Sequence, residues 1–472
     1  MKFLKFLWVF FVILVFGCSR SSSHFFIPLK PVHKTLPNGI QLLLLEDHEL
    51  PTVQMAVFIR GGAIYDPQGK EGLSALSMQV IRQGGIATPK QNPEDIEQNL
   101  EFVGASLEMG SSAEYHSASL ALMKKDLDLG IKTLVNLLRY PALDEGRFIL
   151  LRNRMKESLR RDLEEPMKLG AREFPGLVYG QENPWAKKVT EKSLEAIRWE
   201  DVKNFHTDWI GTHPERILLA AAGDFSVEEI VAKIEAQTKD WVAKEHPDLP
   251  SIPATPQKFM RHLALVSHPG LTQTTIVMGH LGGRRDNPDK FPLLVMNFIL
   301  GGSGALTSRM GDEIRTTAGK AYGVWSDFGF GRDYGLFRAI AQTASANTQW
   351  VTEKMISMIT EMSQHPQFTA EEIERAKQSI LRSLTFDFET RFAQVKQQAL
   401  FKLWGYPENY LEIFQKEIAR VNAKELERVA KKYLHPEGLQ ILLIADPKQI
   451  PNDLEALSPL SPTGQIEIRK VE

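Results

Sequence analysis

The feature that most constrains this chain is an internal repeat. Residues 213–215 read His-Pro-Glu and are followed by an apolar run and an aspartate, and residues 435–437 read the same and have the same continuation. The two copies are offset by 222 residues. Residues 179–183 (Tyr-Gly-Gln-Glu-Asn) and 404–409 (Trp-Gly-Tyr-Pro-Glu-Asn) match at nearly the same offset. An ordered series at one offset predicts two copies of a unit of about 200 residues.

A proline-rich segment separates the two copies. Residues 245–256 carry four prolines within ten positions, which predicts a stiff linker and no helix or strand. The predicted organisation is a first domain at 28–244, a linker at 245–258, a second domain at 259–450 and a C-terminal tail at 451–472. A chain of 472 residues is long enough for this arrangement.

Each copy has its strands and helices in the same order. Residues 40–45 and 53–59 of the first copy, and 262–267 and 272–280 of the second, have the patterns of buried or half-buried strands. Longer helical patterns follow in each copy, and residues 305–316 predict a further helix. Strands grouped early and helices grouped late predict an α+β fold, with two homologous α/β sandwich domains joined by the proline-rich linker.

The N-terminus has the features of an export signal. Lys2 and Lys5 precede an unbroken apolar run at 6–16, which is short for a membrane-spanning helix and typical of a signal-peptide core. The run is followed by Gly17 and by Cys18, the only cysteine of the chain. An exported chain with one cysteine has no disulfide within itself, so its stability must come from its core.

The position of Cys18 leaves two interpretations. One is a bacterial lipoprotein signal, with a signal peptide at 1–17, a lipid on Cys18 and a lipid-anchored tether at 18–27. The body of the protein would then lie in the bacterial cell envelope, attached to a membrane and facing the periplasm or the cell exterior. The other is an ordinary signal peptide that happens to contain a free cysteine.

Composition argues against one class of partner. The net charge is −2, and no basic run or patch stands out. Because nucleic-acid binding depends on clustered positive charge, we expect no nucleic-acid partner.

The most informative motif opens a predicted helix in the first copy. Residues 72–79 read Gly-Leu-Ser-Ala-Leu-Ser-Met-Gln. The segment resembles the Gly-Leu-x-His-x-x-Glu-His motif of the insulinase/pitrilysin-like zinc peptidases, in which two histidines hold zinc and the glutamate takes a proton from the zinc-bound water. Here Ala75 and Gln79 occupy the ligand positions, and Met78 occupies the position of the acid. The resemblance therefore implies a peptidase fold that has no catalytic zinc site and no cofactor of its own.

The resemblance extends over nearly all of the chain after the signal. Further matching segments are residues 36–39, 61–62, 66–67, 300–302, 308–309 and 313–322. The last reads Glu-Ile-Arg-Thr-Thr-Ala-Gly-Lys-Ala-Tyr and is the most specific. Their order and spacing are similar to those of the two-domain branch of the family, which includes bacterial and mitochondrial processing peptidases.

Two residues of that last segment carry a further implication. In the family, an arginine and a tyrosine seven positions apart lie opposite the zinc and hold the substrate carbonyl and its developing oxyanion. Arg315 and Tyr322 have this separation. A guanidinium and a phenol are donors that can stabilise such a charge. Without the family pattern, the same residues read as an exposed helix arginine and a tyrosine packed on a sheet.

Other candidate metal ligands have weaker support. The family's third zinc ligand is a glutamate some seventy residues after the second histidine, and Glu157 is a possible relic of it or a solvated helix carboxylate. No two of the 12 histidines have helical ligand spacing with a carboxylate between them. His116 and His280 lie in predicted strands, where a hydrogen-bonded structural histidine is the more common case.

A glycine-rich segment at 301–304 follows a predicted helix. It fails as a phosphate loop, because no strand precedes it and no Gly-Lys-Ser/Thr follows. It is either a tight connection between helices or a flexible loop that lines a chamber.

Three functions are consistent with these observations. The first is a non-catalytic, substrate-binding subunit of a heteromeric zinc metallopeptidase, which supplies Arg315 and Tyr322 to a partner homologue that bears the zinc; the substrate would be a peptide or unfolded protein. The second is a scaffold or peptide-binding lipoprotein with no role in proteolysis. The third is an autonomous metallopeptidase with an unrecognised site.

Overall fold

The computed structural model describes residues 26–245, 249–302, 304, 306–451 and 453–469. The predicted signal peptide, the lipidation site at Cys18 and most of the tether lie outside the described residues. Within the described part, no helix is both long enough and apolar enough to cross a membrane.

The first unit contains six strands and eight α-helices among its described residues. Its strands are β1 (Val32–Thr35), β2 (Gln41–Glu46), β3 (Thr52–Arg60), β4 (Ser106–Ser111), β5 (Tyr115–Met123) and β6 (Ile217–Gly223). Its helices are α1 (Leu73–Gln83), α2 (Pro93–Phe102), α3 (Leu127–Arg139), α4 (Glu145–Glu164), α5 (Pro166–Tyr179), α6 (Glu191–Ala196), α7 (Trp199–Phe205) and α8 (Val227–Thr238).

The second unit repeats this plan. Its strands are β7 (His262–Ser267), β8 (Gln273–Leu281), β9 (Gly283–Arg284), β10 (Gly323–Phe328), β11 (Phe330–Gly331), β12 (Leu336–Ala344), β13 (Gln440–Ala445) and β14 (Glu467–Arg469). Its α-helices are α9 (Lys290–Leu300), α10 (Thr348–Gln364), α11 (Ala370–Asp387), α12 (Arg391–Leu403), α13 (Tyr410–Arg420) and α14 (Ala423–Tyr433).

The two units have equivalent sheets. The first sheet has the order β1-β2-β6-β3-β5-β4, and the second has β14-β7-β13-β8-β12-β10. In both, the late strand (β6 or β13) lies parallel to the first long strand and antiparallel to the second. The predicted α+β fold with two homologous sandwich domains is confirmed, and the repeat in the sequence is a repeat of topology.

One edge strand differs between the two sheets. In the first, β1 precedes β2 in the chain and pairs with it antiparallel. In the second, the equivalent place is taken by β14, which comes from the C-terminus and pairs parallel to β7. The segment described from sequence as a tail therefore contributes a strand to the second sheet.

Each sheet is buried on both faces. In β2, Leu42 and Leu44 contact the core of the first unit, whereas Leu43 and Leu45 face a helix of the second unit. Successive strand side chains point to opposite faces, so an unbroken run of leucines is what such a strand requires. The run at 42–45 thus encodes a sheet covered on two sides.

The covering helices are exchanged between the units. Helix α5 of the first unit packs on the second sheet, with Phe174 and Leu177 against Val277 and Leu442. Helix α12 of the second unit packs on the first sheet through Val395 and Ala399. Each unit therefore completes the outer layer of the other.

Two short segments join the units further. The backbone N–H of Phe26 donates to the side chain of Gln415, and that of Leu29 donates to Gln394. The start of the described chain is thereby held by helices α12 and α13 of the second unit. Residues 249–258 of the predicted linker contain neither helix nor strand, and the same is true of residues 259–261 that follow it.

The helix predicted at 305–316 is present but begins later than expected. Residues 306–308 form turns and a bend, residues 309–310 are helical, and a π-helix follows at Gly311–Thr317. Ahead of this segment, Gly301 and Gly302 fit against β10. A side chain at Gly302 would place its Cβ 2.5 Å from the Cα of Phe298. Gly301 and Gly302 are therefore part of a tight connection at the sheet edge; Ser303 lies outside the described residues.

Candidate functional site

Asp66 binds the start of α1, the helix that carries the altered motif. The carboxylate of Asp66 accepts hydrogen bonds from the backbone N–H groups of Gly72 (2.9 Å) and Ser74 (3.0 Å). These N–H groups belong to the first turn, where no carbonyl of the helix can reach them. Gly72 has φ 99°, a conformation that favours glycine. The sequence analysis missed this role of Asp66; its signal was an aspartate six residues ahead of the Gly-Leu pair.

Asp66 is almost fully buried. Burial raises the pKa of Asp66 to about 6, outweighing the hydrogen bonds from Gly72 and Ser74 and the charge of Lys187, which lower it. The ammonium group of Lys187 donates to the backbone carbonyls of Ile64 and Asp66. This segment is a rigid support for the start of α1.

The three motif positions lie on α1. Ala75 and Gln79 are half-buried and one helical turn apart. Met78 is 0% exposed and packs in the core of the first unit. A methionine in this place contributes packing and has no group that can accept a proton from water. The first unit thus has the motif helix but lacks the side chains that would bind zinc and accept a proton from water.

Beneath α1, a buried histidine is held by hydrogen bonds. Nε2 of His116 accepts from the backbone N–H of Gly62 (3.2 Å), and Nδ1 lies 2.9 Å from the hydroxyl of Ser111, which also contacts Ser74. Burial lowers the pKa of His116 to about 3, with Arg216 adding to the effect. The ring is therefore neutral and carries its proton on Nδ1.

His280 is the counterpart of His116 in the second sheet. Nδ1 of His280 donates to the carbonyl of Leu281 (2.7 Å), and Nε2 accepts from the backbone N–H of His435 (3.1 Å). Burial lowers its pKa to about 3. Both strand histidines are structural, as the sequence analysis expected.

Glu157 lies on the surface of α4. Its side chain is 59% exposed and pairs with Arg160 at 2.7 Å, and Arg160 also binds Glu191. This is the arrangement of a solvated helix carboxylate. Among the described residues, no group of three or more His, Cys, Asp and Glu side chains is placed to hold a metal ion.

Arg315 and Tyr322 flank the end of the π-helix. Both side chains are exposed, Tyr322 at 79%, and neither has a hydrogen-bond or ion-pair partner among the described residues. Their backbone is fixed nonetheless: Ile314 is fully buried, the N–H of Lys320 donates to the carbonyl of Ile314 (3.0 Å), and the N–H of Tyr322 donates to Gln342 of β12 (2.9 Å). Two donor side chains are thus presented to solvent from a rigid support.

Together, the repeated sheets, the intact α1 and its altered motif define a class: a two-domain zinc-peptidase fold without the residues of the zinc site. Residues 196–380 match the family model described as the peptidase M16 inactive domain. Over this region the chain is similar to the insulinase/pitrilysin-like peptidase family, and it has no His-x-x-Glu-His motif. By itself it lacks the groups with which an active member cleaves peptides.

Known relatives agree with this assignment. An uncharacterized zinc protease, YmxG of Bacillus subtilis, is 20% identical over 89% of this chain and 99% of its own length. A protein of Helicobacter pylori named "Non-peptidase homolog YmxG" is 21% identical over 87% of this chain and 93% of its own length. The crystal structure of a peptidase M16 inactive domain from Pseudomonas fluorescens has a TM-score of 0.79 at 21% identity, covering 94% of this chain and all of that one.

Proposed function

We propose that this protein is the non-catalytic, substrate-binding subunit of a heteromeric zinc metallopeptidase. The partner is a homologous chain that bears the zinc, and the substrate is a peptide or an unfolded protein. This chain contributes Arg315 and Tyr322 to the substrate. Zinc is a cofactor of the partner in this arrangement.

One contrast carries the proposal. Met78 is sealed in the core, whereas Arg315 and Tyr322 are exposed donors without partners among the described residues. A long arginine and an aromatic ring that are exposed and without such partners contribute little to stability at that place. They are suited to a ligand or to a second chain.

The chemistry of the pair fits an oxyanion. The guanidinium of Arg315 can donate two parallel hydrogen bonds, and the phenol of Tyr322 can donate one. Donors that are fixed before the reaction stabilise the charge that develops on a substrate carbonyl. The nucleophile and the metal would both come from the partner.

The first sheet offers an edge to an extended peptide. At β4, Arg82 donates to the carbonyl of Leu107 (2.6 Å), which shows that this carbonyl points away from β5. Since backbone groups alternate along a strand, Met109 and Ser111 present their N–H and C=O groups at the same edge. A peptide that adds a strand there binds through its backbone, which permits many sequences.

The location of the protein is part of the same proposal. Lipid on Cys18 would attach the chain to a membrane, with the body facing the periplasm or the cell exterior. The described chain starts at Phe26, where Gln415 binds its backbone. The seven residues between Cys18 and Phe26 would span at most about 28 Å from one Cα to the other, so helices α12 and α13 would lie near the membrane. A Cys18→Ala variant is expected to move to the soluble fraction; equal membrane binding by variant and parent would refute the anchor.

The experiment that tests the catalytic proposal is reconstitution. The full chain is mixed with a zinc-bearing homologue from the same organism, and complex formation, zinc content and peptide turnover are measured. Removing one fixed oxyanion donor typically costs about 10²–10³ in turnover, so Arg315→Ala and Tyr322→Phe should each slow the complex by about that factor and leave its assembly intact.

Arg420→Ala is the matched control. Arg420 is a surface arginine that is 73% exposed and pairs with Glu417 on the same helix. Its loss should not change turnover. If the complex forms and its turnover is insensitive to Arg315 and Tyr322, the chain is a scaffold. If the isolated chain cleaves peptides with tightly bound zinc, it is an autonomous peptidase.

A further inference from the structure

A second candidate site lies in the second unit, away from the motif helix. It is a cavity of about 300 Å³ between the start of α9 and the helices α12 and α13. Most of its walls are aromatic or aliphatic. The lining residues are Arg285, Lys290, Phe330, Leu384, Phe401, Trp404, Tyr406, Tyr410, Leu411 and Phe414.

Lys290 is the central polar group of the cavity. Its ammonium nitrogen lies 2.6 Å from the hydroxyl oxygens of both Tyr406 and Tyr410, whose rings stack at 4.0 Å. The same nitrogen is 4.5 Å from the ring centroid of Tyr406 and 5.5 Å from that of Phe330. Lys290 has no carboxylate partner within the described part of the chain.

The charge of the cavity is unbalanced. Arg285 also lines it, and one terminal nitrogen of Arg285 is 2.7 Å from each carboxylate oxygen of Glu114. One carboxylate therefore faces two cations. Burial raises the pKa of Tyr406 and of Tyr410, so neither phenol supplies a negative charge.

Lys290 is nevertheless charged at neutral pH. Burial, with a smaller contribution from Arg285, lowers the pKa of Lys290 to about 8. A protonated amine that is kept partly out of water without a counter-ion favours an anion as a neighbour.

Trp404 adds an unused donor. Its indole nitrogen is buried and has no hydrogen-bond partner among the described residues. The guanidinium of Arg285 lies 5.2 Å over the same ring. Trp404 lines the cavity. Buried N–H groups in native proteins are normally paired, so an acceptor on a ligand that enters beside this ring would satisfy the donor.

We propose that this cavity binds a carboxylate that carries a single apolar or aromatic side chain, as in the C-terminal residue of a peptide or an N-blocked amino acid. Lys290 and the indole N–H of Trp404 hold the carboxylate, and the aromatic walls enclose the side chain. The volume is at the lower limit for small-molecule sites and suits one residue of this kind. The site is independent of Arg315 and Tyr322 and does not rest on the proposed function.

Calorimetric titration of the full-length protein with N-acetylphenylalanine and with its amide tests the charge requirement. The two probes differ only in the ionised carboxylate. We expect the acid to bind about tenfold or more tightly than the amide, because hydrogen bonds between charged groups are the stronger ones. Equal binding of acid and amide, or no binding of the acid, would overturn the proposal.

A second pair of probes identifies the source of the carboxylate. A pentapeptide of four alanines and a C-terminal phenylalanine is titrated with a free and with an amidated C-terminus. Binding of the free peptide as tightly as N-acetylphenylalanine assigns the site to peptide C-termini. Binding of the blocked amino acid alone assigns it to small carboxylates. Both results support the carboxylate site.

Two substitutions connect the binding to the named residues. Lys290→Met keeps the apolar stem and removes the charge, and Trp404→Phe keeps a ring and removes the donor. Each should weaken binding of the acid while leaving that of the amide nearly unchanged. The control is Lys203→Met, which removes a lysine 3.7 Å from the ring centroid of Trp199 in the first unit. A folded Lys290→Met protein that binds the acid like the parent would refute the assignment, and the acid–amide comparison on the parent stands even if a variant fails to fold.

Discussion

The two units of this protein share a topology and differ in what they expose. The first keeps helix α1, its supporting Asp66 and its buried histidine, yet its motif positions hold Ala75, Met78 and Gln79. The second holds Arg315 and Tyr322 in solvent on an equally fixed backbone. In the first unit, α1 and Asp66 are needed by the core whether or not the helix binds zinc. In the second unit, the proposed chemistry depends on two exposed side chains that the core does not need.

The exchanged helices give the largest expected effect and test whether the units depend on each other equally. Phe174→Ala removes a fully buried ring by which α5 packs on the second sheet. This substitution should lower the free energy of unfolding by about 3–5 kcal/mol. Val395→Ala removes two methyl groups by which α12 packs on the first sheet. It should lower the free energy of unfolding by about 1–2 kcal/mol. Urea denaturation compares them; equal losses would mean that the two covering helices contribute alike.

The motif helix and the Arg/Tyr segment should respond differently to truncation. Met78→Ala leaves a cavity in a filled core and should cost about 2–5 kcal/mol. Tyr322→Ala changes a side chain that is 79% exposed and should alter stability by less than about 0.5 kcal/mol. Both are measured by thermal and urea unfolding. A large loss for Tyr322→Ala would show that this tyrosine supports the fold, which would contradict its proposed role toward substrate.

The acids at the starts of α1 and α9 should give the units opposite responses to pH. The pKa of Asp66 is raised by burial from 3.8 to about 6, so the native state binds a proton more tightly than the unfolded chain. Stability from this group is full below pH 3.8 and falls as pH rises to about 6, by at most about 3 kcal/mol. Asp289 has its pKa lowered, chiefly by hydrogen bonds from Arg428. Its contribution is present above pH 3.8 and is lost only as pH falls below that value.

Unfolding measured against pH separates the two acids. Asp66→Asn should remove the decline between pH 3.8 and about 6, whereas Asp289→Asn should remove a loss below pH 3.8. The two variants serve as controls for each other. A decline that survives Asp66→Asn would assign it to another group.

The smallest expected effect concerns Glu157. Glu157→Gln removes one member of a surface ion pair with Arg160, and such pairs contribute about 0–1 kcal/mol. Stability and zinc content of the purified protein should both be unchanged. Loss of stoichiometric zinc on this substitution, measured by elemental analysis, would show that Glu157 is a ligand and would reopen the first unit as a metal site.

The sequence by itself determined the two-unit architecture and the loss of the zinc-site residues. The repeated His-Pro-Glu segments predicted two equivalent units, and apolar runs such as residues 40–45 predicted strands, because apolar periodicity is a local property of the chain. The sequence also predicted the loss of the zinc ligands, because the side chain of Ala75 has no donor atom and that of Gln79 is a poor zinc ligand.

Only the tertiary structure decided the long-range features. That α5 and α12 are exchanged between the units, that β14 completes the second sheet, and that Asp66 supports α1 depend on contacts between distant residues. The cavity around Lys290 is of the same kind, since its walls come from α9, α12, α13 and β11. Local sequence patterns carry no information about which distant surfaces come into contact. The burial of Asp66, the unpaired indole N–H of Trp404 and the excess positive charge around Lys290 arise only when the chain has packed.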